Sequence, residues 1–238
     1  MMLRDGEFDK RVGGDGVEVW VTQMGGYMNM HTAFIDRESG IVAIVDPFDS
    51  ERWVEELAQE GLSPTHLLYT HTHRDHVAGY SSMMSLVPGV EVWGHDEARV
   101  PSLLGHVVFK KVDFTETWSN DPDTTVEWSA GSISLGVTHS PGHAPGHVTL
   151  HGHGVYHAGD LLFTNGMGRV DLPGSDPRAQ WMSIRNAKGI LMELPRDWRL
   201  IPGHRYDWID GTTPDWGSVG EALQHNYALT SPALERMG

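Results

Sequence analysis

Thr70-His71-Thr72-His73-Arg74-Asp75-His76 places three imidazoles and a carboxylate within six residues, directly after the apolar run His66–Thr70. A short run of that kind reads as a buried strand. Where the chain stays extended, side chains at i and i+2 point the same way, so His71, His73 and Asp75 converge. His76 stands beside Asp75, where a helix running to about Leu86 is expected to begin. A single histidine is ordinarily a core or surface residue. Four such donors at this spacing after a strand instead suit a borderline divalent cation such as zinc.

Outward from this stretch, the same grammar of strand, turn and donor recurs three times. Thr138-His139-Ser140-Pro141-Gly142-His143 sets His143 in a Pro/Gly turn, Val155-Tyr156-His157-Ala158-Gly159-Asp160 sets Asp160 after a strand, and Leu200-Ile201-Pro202-Gly203-His204 sets His204 after another. Of 15 histidines, four fall within 66–76 and six within 139–157, a clustering for which surface histidines have no reason.

Around these segments the patterning predicts strands at 17–24, 30–35 and 41–45, with a turn at Glu38-Ser39-Gly40. Asp49 or Ser50 should cap a helix with an apolar stripe of Trp53, Val54, Leu57 and Ala58, stopped by Gly61. Further strands are expected at 90–93, 125–128, 132–138, 147–151, 154–158 and 199–201. Asp176-Pro177 opens a helix to about Leu194, and a last helix over about 216–229 should bury Val219, Ala222, Leu223 and Tyr227. Residues 95–124, with Pro101, Gly105 and Ser119–Thr124, read as loops. Residues 1–16 read as a flexible arm and 17–238 as one domain. The order of elements suggests two sheets packed together with helices outside.

A chain of 238 residues can bury a sizeable core, and with no cysteine it has neither disulfides nor thiolate metal sites. Seventeen Lys and Arg against 32 Asp and Glu give a net charge of −15, which argues against nucleic acid or an anionic membrane as partner. The opening residues are too polar for a signal peptide, and no apolar run approaches the ~20 residues of a membrane span. The expectation is a cytoplasmic protein acting on a small molecule, with a homodimer left open.

The set HxHxDH at 71–76, PGHxxGH at 141–147, GD at 159–160 and GH at 203–204 resembles the metallo-β-lactamase superfamily over roughly 17–230. The resemblance implies an α/β fold, an αββα sandwich of two mixed sheets with helices on the outer faces and a two-metal site along one edge. It implies His71, His73 and His143 as ligands of a first ion, Asp75, His76 and His204 of a second, and Asp160 as the bridging carboxylate. Asp46, in Ile44-Val45-Asp46-Pro47, would orient a ligand imidazole, its plainer reading being a turn aspartate, and His147 would support the ligands from behind. The implied cofactors are two divalent ions, zinc first, with iron or manganese as alternatives. Such a pair needs no protein nucleophile, and GxSxG, P-loop and GxGxxG motifs are all absent.

Within that family, Asp160 sets the chain apart from many true β-lactamases, and Phe163 stands where acyl-homoserine lactonases typically carry a tyrosine. Gly168-Arg169-Val170-Asp171-Leu172-Pro173-Gly174 resembles the GRxDxPG signature of glyoxalase II-like hydrolases and persulfide dioxygenases. It implies Arg169 and Tyr206 as substrate contacts; the plainer alternatives are that Arg169 braces its loop through Asp171 and that Tyr206 only packs. The expected activity is hydrolysis of a small acyl thioester, S-D-lactoylglutathione or a relative. A metal-bridging hydroxide would be the nucleophile, held by the catalytic Asp75. The alternative is a mononuclear Fe(II) persulfide dioxygenase using His71, His143 and Asp160; lactonase and β-lactamase activities rank below both, and a non-enzymatic metal sensor lower still.

Overall fold

Alternating apolar residues build the first sheet. In the computed structural model, which describes residues 2–13, 15–99, 106–206 and 213–235, Phe8–Val12 (β1), Glu18–Met24 (β2), Asn29–Asp36 (β3) and Ile41–Val45 (β4) run antiparallel in order. Helix Ser50–Ala58 (α1) follows, its first turn capped by the Asp49 carboxylate, which accepts from the Arg52 N–H at 3.0 Å. His66–Leu68 (β5), helix Tyr80–Leu86 (α2), Glu91–His95 (β6) and Glu116–Trp118 (β7) complete the sheet, and β4 through β7 are parallel.

The second sheet takes Thr125–Ala130 (β8), Ile133–His139 (β9), Val148–Gly152 (β10) and Val155–Gly159 (β11) as antiparallel neighbours. A small hairpin, Leu162–Phe163 (β12) and Gly166–Met167 (β13), and the long helix Pro177–Glu193 (α3) lead to Arg199–Pro202 (β14), parallel to β11. Gly217–Ser218 (β15) edges the sheet, and short helices Val219–His225 (α4), Tyr227–Thr230 (α5) and Pro232–Glu235 (α6) follow.

Three apolar layers explain the stacking. Val21, Phe34, Val45 and Leu68 of the first sheet meet Leu135, Val148, Leu150 and Ile201 of the second. Trp20, Ile35, Ile44 and Leu67 turn the other way, onto Trp53 and Leu57 of α1 and Met83 of α2. Tyr156, Ala158 and Leu200 meet Ile184 and Leu191 of α3 and Val219 of α4. Each such fully buried aliphatic contributes roughly 1.5–3 kcal/mol. The layers are therefore α, β, β, α, the sandwich expected from sequence.

Three expectations need correction. The described part of residues 1–16 is not a free arm. Residues 8–12 pair with β2 from Phe8↔Thr22 to Val12↔Glu18, Phe8 packs edge-on to Trp53 at 4.9 Å, and Asp9 forms an ion pair with the buried Arg199 at 2.5 Å. Lys10 also pairs with Glu56 of α1, at 3.0 Å. The 95–124 segment is not all loop, because residues 116–118 add β7 to the first sheet; its residues 100–105 lie outside the described residues. The last helix breaks at Asn226. That side chain accepts from the Ala228 and Leu229 N–H groups and donates to the Phe163 and Gly166 carbonyls at 2.8 and 3.0 Å. Tyr227 is consequently 54% exposed rather than buried.

Candidate metal centre

All the donor segments leave their strands at the same end of the sandwich. His71 to His76 follow β5, His143 lies in the turn between β9 and β10, Asp160 follows β11, and His204 follows β14. Their donor atoms form three overlapping groups: His71, His73 and His143; His71, His76 and Asp160; and Asp75, His76 and His204. His73 Nδ1 lies 3.1 Å from His71 Nε2 and 2.9 Å from His143 Nε2. On the other side, His76 Nε2 lies 3.2 Å from His204 Nε2, which is 3.1 Å from Asp75 Oδ2. Asp160 stands between them, with Oδ2 3.4 Å from His143 Nε2 and 3.6 Å from His204 Nε2, and Oδ1 3.3 Å from His76 Nε2.

The hydrogen bonds of the outer ring nitrogens settle which nitrogen of each imidazole faces the centre. His143 Nδ1 donates to the Arg169 carbonyl and His204 Nδ1 to the Tyr27 carbonyl, both at 2.8 Å. His76 Nδ1 donates to Asp46 Oδ2 at 2.8 Å. Thr70 Oγ1 gives its proton to Asp46 Oδ2, leaving it to accept from His71 Nδ1 at 3.0 Å. The Nε2 atoms of His71, His76, His143 and His204 are therefore the ones turned toward one another at close range. Imidazole nitrogens converging on a buried carboxylate suit a shared cation, and imidazole with carboxylate is a donor set for zinc, iron or manganese. The residues fit a two-ion group.

Backbone geometry makes the convergence possible. Asp46 adopts φ 49°, and from there its carboxylate accepts from the Thr70 N–H at 2.8 Å, from Thr70 Oγ1 and from His76 Nδ1. Such a left-handed non-glycine costs on the order of 1 kcal/mol or more and is held by those three bonds. Asp46 is thus not merely a turn residue. Gly203 leaves room for the centre, because a Cβ there would overlap Asp160 Oδ1 and lie 3.0 Å from His76 Cε1. His147 does not face the donors; its Nε2 accepts the Asp160 N–H at 3.0 Å and so fixes that residue's backbone.

Proton affinities divide the donors. Burial, then the charges that neighbouring imidazoles would carry, hold His71 far below the ordinary histidine value, and His73 is pushed down to about 3. His143 is lowered too, by burial. His76 and His204 go the other way: burial opposes, but Asp160 and Asp75 outweigh it and raise both. Asp75 and Asp160 are themselves held low, because surrounding imidazoles overcome the cost of burial.

Three contributors carried no motif. Asn29, in β3, donates from Nδ2 to Asp75 Oδ2 at 3.1 Å; Thr70 links Asp46 to His71; and the Tyr27 carbonyl aligns His204. His66, a further histidine of the first cluster in sequence, lies away from the donors, edge-on to Trp128. A cavity of about 870 Å³ opens onto the centre, walled by Phe48, Val107, Val108, Phe163, Met167 and Leu172. Tyr206 lines it, stacked on His204 with centroids 4.9 Å apart, and so does Arg169. Arg169, however, forms a two-pronged ion pair with Asp171 at 2.6 and 2.7 Å, the loop-bracing arrangement.

A sequence model described as the metallo-beta-lactamase superfamily matches residues 30–204. The hydroxyacylglutathione hydrolase of Aeromonas hydrophila subsp. hydrophila is 31% identical over 178 residues, covering 75% of this chain and 62% of that enzyme. The chain thus spans less than two thirds of that relative's length. Hydroxyacylglutathione hydrolase GloC of Haemophilus influenzae is 31% identical, with 68% of this chain and 79% of that enzyme covered. Among solved structures, the BLEG-1 B3 metallo-beta-lactamase superposes with TM-score 0.72 at 25% identity, over 90% of this chain and all of that one. TTHA1623 in a di-iron-bound form gives 0.63, also at 25%, over 87% and 98%. Among the described residues no helix is long and apolar enough to cross a membrane.

Proposed function

The chain belongs to the metallo-beta-lactamase superfamily, and within it we propose a binuclear metal-dependent hydrolase of small acyl thioesters, glyoxalase II-like, acting on S-D-lactoylglutathione or a relative. The observation that carries this reading is the position of Asp160, within 3.6 Å of donors on both sides. The names of the hydroxyacylglutathione hydrolases support the thioester, and the di-iron-bound form of the similar structure TTHA1623 supports two ions.

Two divalent ions bound there would supply Lewis acidity and a nucleophilic water at neutral pH. His71, His73 and His143 would hold one ion, Asp75, His76 and His204 the other, and Asp160 both. Asn29 anchors Asp75 Oδ2, leaving Asp75 Oδ1 to accept a hydrogen bond from the attacking water. The Tyr206 hydroxyl, on a ring that lines the cavity and stacks on His204, would donate a hydrogen bond to the substrate. Phe163, edge-on to Tyr206 at 5.0 Å, offers no hydroxyl and narrows the cavity. The departing thiolate needs no acid at its sulfur, since thiols ionise near 8.5.

Zinc-loaded protein should cleave S-D-lactoylglutathione, or a simple acyl thioester, without oxygen, and should take up no oxygen with glutathione persulfide. Oxygen uptake by an iron-loaded sample, with no thioester cleaved by any metal form, would replace the hydrolase with the dioxygenase.

A further inference from the structure

Two arginines line the cavity, and their charges are differently placed. Arg169 has both its Nε and an Nη bonded to Asp171, so that charge is cancelled locally. Arg74 is exposed at the cavity, and among the described residues it forms no ion pair. The acidic residues that line the same cavity, Asp75 and Asp160, face imidazoles. Lys110 stands near Arg74, its Nζ donating to the Val77 and Ala78 carbonyls at 3.4 Å, and its pKa is lowered by burial and by the charge of Arg74. The base of Arg74 is fixed, since its N–H donates to the Val108 carbonyl at 2.9 Å. It lines the same cavity as its neighbours His73 and Asp75.

We infer that Arg74 determines specificity by binding a carboxylate of the substrate, with Lys110 reinforcing the local positive field. This rests on the thioester reading and adds to it the residue that recognises the substrate's carboxylate. A guanidinium matches a carboxylate in a planar fork, and a charge-assisted pair is the stronger kind of hydrogen bond. The need for such a residue follows from the overall charge. A chain of net charge −15 repels an anionic substrate, so capture depends on a cation that lines the cavity without an acidic partner, as Arg74 does among the described residues. Arg169, already paired, contributes less than its position in the GRxDxPG stretch suggests.

The test compares the metal-loaded wild type, Arg74→Ala, Arg74→Lys and Arg169→Ala on three thioesters. One is neutral, S-acetyl-N-acetylcysteamine. One carries the carboxylate on the thiol, S-acetyl-3-mercaptopropionate, and one on the acyl group, S-succinyl-N-acetylcysteamine. Wild type should prefer one of the anionic esters, which identifies the end that Arg74 holds. In Arg74→Ala that preference, as a ratio of kcat/KM values, should fall roughly 10- to 150-fold, with partial recovery in Arg74→Lys. Calorimetric binding of S-methylglutathione, which cannot be hydrolysed, should weaken by a similar factor. Equal losses on neutral and anionic esters, an unchanged Kd, or a larger loss in Arg169→Ala would overturn the inference. If wild type cleaves no thioester but binds S-methylglutathione through Arg74, the hydrolase reading falls and the anion site stands. If it neither cleaves nor binds, both fall.

Discussion

The two sides of the donor centre contrast in their electrostatics. His71, His73 and His143 form a purely imidazole set whose proton affinities are all depressed, by burial before anything else. Around His76 and His204 the charge of Asp160, then that of Asp75 and, for His76, a hydrogen bond to Asp46 outweigh burial, so the imidazoles there hold protons more tightly than usual. One side is therefore poised with lone pairs free; the other must exchange protons for a cation. Two groups of donors can thus respond differently to acid and to substitution, with Asp160 standing between them.

Removing the shared element should have the largest effect. Asp160→Ala should lower the occupancy of both ions and reduce kcat/KM by on the order of 10³-fold or more, the several kcal/mol that metal charge stabilisation contributes. His204→Ala, by contrast, should empty mainly the second side. Elemental analysis of the purified variants checks both. Full occupancy in Asp160→Ala would mean that the two sides are independent and that the carboxylate is not shared.

Asp46→Asn sharpens the contrast. It removes the carboxylate that accepts from His76 directly and supports His71 only through Thr70. Loss of such a partner typically costs about 10- to 100-fold in metal affinity. The loss should be greater on the Asp75 side than on the His73 side, measured by competition with a chelator. Equal losses would show that the Thr70 link matters as much as the direct bond.

These contrasts were only partly legible in the sequence. The donors themselves stood out because histidine and aspartate at strand ends follow a spacing that backbone geometry dictates. Asn29 and Thr70 did not, since polar residues on or beside strands have no pattern, and their partners lie 46 and 24 positions away. The Tyr27 carbonyl that aligns His204 belongs to a backbone group, which any residue could supply. The same reason hid β1 and β7: short strands with charged residues resemble loops until a neighbour supplies the hydrogen bonds. Arg169 was legible as a cation, but the Asp171 that neutralises it also sits in the motif, and only geometry decides between bracing and binding.

Acid should separate the two sides. His76 and His204 bind protons more tightly than an ordinary imidazole in the metal-free protein, because Asp160 and Asp75 outweigh the cost of burial, so acid places protons where the second ion would sit. His73, at about 3, stays bare far into the acid range. Each proton that must be displaced weakens binding about tenfold per pH unit. Between pH 8 and 5 the second ion should leave while the first remains, as read by metal retained after dialysis at each pH. Simultaneous release would break the contrast.

That experiment is meaningful only while the fold survives, and buried histidines outside the donor set determine how far. His157, fully buried with Nδ1 3.1 Å from Thr32 Oγ1, is pushed down to about 4 by burial, against the opposing charge of Asp46. Its unfolded value is about 6.5. Because the folded pKa is the lower one, the unfolded chain binds the extra proton between those limits. The stability associated with a neutral His157 is complete above about 6.5, declines as the pH falls, and levels off below about 4. The slope for one group is about 1.36 kcal/mol per pH unit. His31, also fully buried and at about 3, adds a similar loss that continues to lower pH. In His157→Gln the slope of unfolding free energy against pH, from urea titrations of metal-free protein at pH 6.5, 5.5 and 4.5, should be shallower by about that one-proton amount. An unchanged slope would mean that His157 is protonated alike in both states. The order of metal release should be the same in wild type and in His157→Gln, because the gradual loss of stability belongs to the fold and the stepwise loss of ions to the centre.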